Sequence, residues 1–138
     1  MAGGVFDFVV IGVPRTPQTK SRKSREDWKQ KVAQAARHRW PAGQVPFSAD
    51  AKVTIIYFYE HTTSIDVDAI AKYILDGLEG VAYDDDRIVS DLTLRKTNQL
   101  ADMSVANPPT VLADALGRYA QFVYVRVTGA PDHRELPE

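Results

Sequence analysis

The hydrophobic pattern changes period several times along the chain, and each change predicts an element. Residues 5–13, VFDFVVIGV, are β-branched and aromatic, which predicts a strand ended by Pro14 and Pro17. The polar stretch RTPQTKSRKSRE follows as a loop. Over 25–38, Trp28, Val32, Ala35 and Ala36 recur at helical spacing and predict one buried face. Ser24 is the expected N-cap of that helix, with Asp27 three residues on as a capping-box acid. PAGQVPFSAD reads as a loop. Residues 52–60 alternate, with Val53, Ile55, Tyr57 and Tyr59 on one face of a second strand. The helical period returns from Asp66 to Glu79, where Ile70, Tyr73, Ile74, Gly77 and Leu78 form a stripe and Gly80 is placed to end it. Residues 87–96 predict a third strand, 98–109 a polar loop, VLADALGRYA a short helix, and 120–127 a fourth strand. The order β–α–β–α–β–α–β predicts an α+β fold, a small mixed β-sheet covered by helices. One domain is expected over 1–128, with a flexible C-terminal tail over 129–138.

Composition changes this picture little. A chain of 138 residues with 44% hydrophobic and 25% charged positions can bury one modest core. It has no cysteine, so disulfides and thiolate metal sites are excluded. The opening MAGGVFDFVV lacks the charged and apolar regions of a secretory signal, and no segment is long enough to span a bilayer. A cytoplasmic address and no membrane partner are the expectation.

Charge changes the picture more. The net charge of −1 conceals a segment, residues 15–39, with nine basic and two acidic side chains. The remainder of the chain carries a net −8. A basic loop and helix on a near-neutral protein suit a polyanion such as DNA, or simply a solvated face.

The acidic counterpart is SIDVDAIAKYILDGLEGVAYDDDRI, residues 64–88. Asp66 stands near the start of the predicted helix, Asp68 in its first turn, and Lys72 one turn on along the same face. A short return after Gly80 can carry Asp84, Asp85 and Asp86 back toward the helix start. Clustered carboxylates repel unless something compensates. A divalent cation with hard oxygen ligands, Mg²⁺ or Mn²⁺, is the usual compensation. Such an ion beside a lysine can hydrolyse a phosphodiester, because both stabilise negative charge that grows on the phosphorus oxygens. Each residue also has a plainer role. Asp66 can cap the helix, Asp68 can complement its dipole, Lys72 can pair with Asp68, and the aspartate run can be a solvated turn.

The run DVDAIAKYILDGLEGVAYDDDRIV resembles the signature of the RusA family of Holliday junction resolvases. The opening VVIGVPRTPQTKSRKSREDWKQKV is similar to the family's first strand, basic loop and helix. The resemblance spans about residues 5–97. It implies Asp66, Asp68 and Asp85 as metal-binding catalytic aspartates and Lys72 as the catalytic lysine, with Asp84 and Asp86 still candidates for the third acid. It implies a Mg²⁺-dependent (or Mn²⁺-dependent), structure-selective DNA endonuclease. A homodimer would resolve four-way junctions by paired nicks with 5′-phosphate ends, in recombination and repair. Lys20, Arg22, Lys23, Arg25, Lys29 and Lys31 would hold DNA phosphates rather than read bases. Ala69 stands where the family's asparagine is usual. That departure keeps open an alternative, a branched-DNA-binding protein of the same fold with little or no cleavage. A third reading is a protein-interaction module in which the basic and acidic segments pair between subunits.

Overall fold

Three hydrophobic strands that alternate in and out, β1 (Val5–Ile11), β2 (Ala51–Tyr59) and β4 (Phe122–Gly129), form most of a four-stranded sheet. The fourth, β3 (Val89–Asn98), is half-exposed and lies at one edge. The computed structural model describes residues 4–101 and 103–137. The start of the expected signal-free N-terminus (Met1 to Gly3), Asp102 in the expected loop and Glu138 of the expected tail lie outside them. The strand order is β1–β4–β2–β3. β4 is antiparallel to both its neighbours, and β3 runs parallel to β2, so the sheet is mixed, as expected of an α+β fold.

Register decides the two faces. Phe6, Phe8 and Val10 of β1 align with Val127, Val125 and Val123 of β4, and these with Val53, Ile55 and Tyr57 of β2. That face is covered by α1 (Arg22–Arg39), through Trp28, Val32 and Ala36, and by α2 (Ala71–Leu78), through Ile74 and Leu78. Together they form the main core. One end of the other face is apolar, where Phe58, Phe122 and Tyr124 meet Leu112 and Ala115 of α3 (Thr110–Ala115). The remaining end of that face carries Asp7, Arg126, Thr54 and Lys52.

Gly77 explains how closely α2 approaches α1. A Cβ there would stand 2.9 Å from Val32 Cγ1 and 3.0 Å from the Lys29 carbonyl oxygen, so only glycine fits the crossing. Gly80, at φ +83, then turns the chain as expected.

Several boundaries differ from the sequence reading. The N-cap of α1 is Ser21, whose Oγ accepts from the Ser24 N–H at 3.1 Å, and Ser24 lies inside the helix. Asp27 pairs with Lys23 at 2.9 Å instead of reaching back to a cap. The expected single helix over 66–79 is a 3-10 turn, Val67–Ile70, followed by α2. The Ala69 N–H bonds the Asp66 carbonyl at 3.0 Å, the three-residue spacing of that tighter turn. The third strand starts at Val89 because a second 3-10 turn, Asp86–Ile88, takes its first two expected residues. Gly129 belongs to β4, and the following Ala130 N–H bonds the Asp50 carbonyl at 2.9 Å.

Candidate active site

Asp66 is carried to the surface by the loop that leaves the C-terminal end of β2. It precedes the first 3-10 turn with extended backbone, and its side chain makes no capping bond. Its carboxylate is therefore not spent on the helix, against the plainer role it could have had. Asp66 lines a cleft of about 610 Å³ together with Arg15, Thr16, Thr63, Ser64 and Ala69. One wall is the loop after β1 and the other is the loop after β2. Tyr57 reaches the cleft from the sheet, and its burial pushes the phenol up from its ordinary pKa while the Thr63 hydroxyl works the other way.

Asp68 is exposed in the first 3-10 turn, and among the described residues no ion pair holds either Asp66 or Asp68. Lys72 does not pair with Asp68. It bonds Asp76, one turn further along α2, at 3.0 Å. That hydrogen bond and the Asp76 charge raise the Lys72 pKa, and Asp86 adds to the effect from the acidic turn. Lys72 thus follows Asp68 by one turn and lies in the field of Asp86.

The acidic turn is pinned to α2 by Tyr83. Its hydroxyl donates to the Leu75 carbonyl at 2.8 Å, and its ring is fully buried. Burial first, then the charges of Asp86, Glu79 and Asp76, push the Tyr83 pKa well above the usual phenol value. The Gly80 N–H bonds the Tyr83 carbonyl at 2.8 Å and closes the return, so Glu79 comes to face the turn. The Asp86 N–H then bonds Glu79 Oε1 at 3.1 Å. Carboxylate oxygens of Glu79, Asp85 and Asp86 lie within 4.8 Å of one another, and Asp66 and Asp68 are outside that group. Asp85 caps the second 3-10 turn: it accepts from the Arg87 N–H at 2.9 Å and pairs with the Arg87 guanidinium at 3.0 Å. The backbone bond first, and the guanidinium beside it, hold its pKa below the usual carboxylate range. Asp84 is exposed.

The basic residues surround the start of α1. Lys20, Arg22, Lys23 and Lys31 are exposed; Arg25 and Lys29 are partly covered. Lys23 and Lys29 are tied to Asp27 and Glu26 along the helix. Arg25 donates to the carbonyls of Thr19 and Lys20, so it shapes the basic loop from within.

A family model described as endodeoxyribonuclease RusA matches residues 12–105. The chain belongs to the RusA family. No curated protein matches it. The match covers the cleft loops, both 3-10 turns, α1, α2 and β3. A RusA-family nuclease acting on branched DNA is consistent with this layout, in which a basic loop and an uncommitted aspartate share one cleft. Among the described residues no helix is long and apolar enough to cross a membrane. Three residues at the cleft or the acidic turn were not named as candidates from the sequence: Arg15 lines the cleft, Glu79 lies with Asp85 and Asp86, and Lys96 bonds the Ile65 carbonyl. Arg15 was visible only as part of a charged segment, Glu79 only as the residue before Gly80, and Lys96 as a strand residue.

Proposed function

We propose that the protein is a Mg²⁺- or Mn²⁺-dependent Holliday junction resolvase that acts as a homodimer. The observation that carries this reading is the position of Lys72, one turn after Asp68 and in the field of Asp86, inside the segment matched by the family. The donors on both sides of it are carboxylate oxygens, and this set fits a hard divalent cation. Asp66 and Asp68 would hold the ion from one side and Asp85 or Asp86 from the other. Asp86 is the better candidate of the two, because Asp85 is engaged by Arg87. When bound, such an ion stabilises charge on the phosphodiester and lowers the pKa of water.

The side chains do the rest. Lys72, an ammonium at neutral pH as lysines ordinarily are and held so more firmly by Asp76, offers positive charge to the phosphoryl oxygens as they become more negative. Arg15 binds phosphate at the cleft mouth, and Lys20, Arg22, Lys23, Arg25, Lys29 and Lys31 hold the backbone of the junction arms. None of these contacts reads a base, so selection would rest on the geometry and deformability of the junction. One carboxylate site per chain and two strands to nick make a twofold dimer the economical assembly.

A second reading, a junction-binding protein with little cleavage, is favoured by Ala69. It lines the cleft beside Asp66, where the amide of an asparagine would be available to orient a ligand. Incubating the protein with a synthetic four-way junction and with linear duplex, with and without Mg²⁺, separates the two. Symmetric nicks in the junction only with metal support the resolvase. Tight junction binding with no nicks in any metal supports the second reading.

A further inference from the structure

The loop that presents Asp66, EHTTSID over 60–66, has no regular structure of its own. All its residues except Ile65, which packs against the main core, are polar. A ligand carboxylate on such a segment samples many directions unless the backbone before it is fixed. The edge strand β3 fixes it at three points. The Gln99 N–H, just past the end of β3, bonds the Tyr59 carbonyl at 2.7 Å. Asn98 Nδ2 donates to the carbonyl of His61, whose backbone is left-handed at φ 66, at 3.1 Å. Lys96 Nζ donates to the carbonyl of Ile65 at 2.9 Å.

The last contact stands out. The parallel register sets Lys96 opposite Tyr57, on the face of the sheet that the helices cover. Lysines on strands normally send their charge to solvent. Lys96 is only partly exposed, and among the described residues no carboxylate pairs with it. Its ammonium is spent on one peptide oxygen, that of the residue directly before Asp66. A charged donor makes a stronger bond to a carbonyl than a neutral one does. The bond fixes the plane of the Ile65–Asp66 peptide. Thr63 Oγ1 supports the other side of the same residue by accepting from the Ile65 N–H at 3.1 Å.

We infer that Lys96 is a positioning residue for Asp66. It holds the peptide that aims the Asp66 carboxylate into the cleft, and it acts on the metal through that carboxylate without touching metal or DNA. The inference rests on the reading of Asp66 as a metal ligand. Groups that orient a metal ligand from behind typically change metal affinity by about 10- to 100-fold when removed.

The test measures Mn²⁺ binding to the full chain by electron paramagnetic resonance, with no DNA present. The proteins are wild type, Asp66→Asn, Lys96→Met, Lys96→Gln and Lys96→Arg. Asp66→Asn should lose Mn²⁺ binding. Lys96→Met should weaken it by about 10-fold or more. Lys96→Arg, which keeps a charged donor, should recover most of that loss, and Lys96→Gln, a neutral donor, should fall between. A purely structural tie would lower thermal stability and leave Mn²⁺ affinity of the folded protein unchanged. If Lys96→Met does not fold, the Gln and Arg variants carry the same comparison. Mn²⁺ affinity within twofold of wild type in the Met or Gln variant, with Asp66→Asn inactive in binding, overturns the role of Lys96 alone. Wild-type Mn²⁺ binding by Asp66→Asn overturns the metal reading itself, and the inference with it.

Discussion

Gly77→Ala tests whether the crossing of α1 and α2 positions Lys72. Intrinsic helix propensity favours alanine over glycine by about 0.8–1.0 kcal/mol. Packing opposes it. The added methyl would meet Val32 Cγ1 at 2.9 Å and the Lys29 carbonyl oxygen at 3.0 Å. Overfilling a packed contact costs about 1–3 kcal/mol, and the upper half of that range applies because a backbone oxygen cannot rotate away. The expected net loss is about 1–2 kcal/mol. With a urea slope of about 2 kcal/mol/M, the unfolding midpoint should fall by about 0.5–1 M. Urea titration followed by circular dichroism measures this, and in a double-mutant cycle Gly77→Ala should cost less in a Val32→Ala background than in wild type, because one of the close atoms, Val32 Cγ1, is gone. Cleavage should fall by more than the unfolded fraction explains, because α2 must shift and Lys72 rides on it. A midpoint that rises, as propensity alone would give, refutes the packing argument.

Three further outcomes are expected. Lys72→Ala should reduce cleavage by about 100-fold or more with Mn²⁺ affinity nearly unchanged, because the lysine acts on the phosphate and not on the metal; a loss of Mn²⁺ binding of similar size would contradict that division. Replacing Lys20, Arg22 and Lys23 together by alanine should weaken junction binding and flatten its dependence on salt, read from binding titrations at several ionic strengths; an unchanged slope would mean the basic loop does not meet phosphate. Tyr83 gives a pH prediction. Its folded pKa is raised, so its contribution is complete below the ordinary phenol pKa of 10.0 and is lost as pH rises above it. Tyr83→Phe should therefore make the alkaline fall in stability shallower by about 1.4 kcal/mol per pH unit, measured by urea unfolding between pH 9 and 12. Tyr124, raised by burial and by Asp7, keeps its own share of that fall, so the slope should not vanish.

Local pattern made much of this protein legible, and long-range pairing did not. The alternation in VTIIYFY and the stripe of Trp28, Val32 and Ala36 point to the right elements, because burial on one face imposes those periods. The mixed sheet and the family were likewise readable from the chain. The order β1–β4–β2–β3 was not, since no local feature says which strand β4 pairs with. Caps misled by a few residues for a physical reason. Ser21 and Ser24 both suit an N-cap, and Arg25, by bonding the Thr19 and Lys20 carbonyls, favours the earlier start. Spacing alone offered Asp66, Asp68 and Lys72 only as candidates, and the resemblance supplied their expected roles. The partner of Lys72 could not be read from spacing: Asp68 and Asp76 are both four residues away, and the 3-10 turn that carries Asp68 does not continue the spacing of α2. Glu79 was hidden because its approach to Asp86 depends on the Gly80 return. Lys96 was hidden because its role depends on strand register.

The most direct measurement compares Asp68→Asn with wild type on one labelled four-way junction, scoring binding without metal and nicking with Mg²⁺ in parallel. Binding equal to or tighter than wild type with nicking abolished is the expected result, because the change removes a ligand and a negative charge while leaving every basic contact in place. Nicking at the wild-type rate by Asp68→Asn would contradict the proposed site.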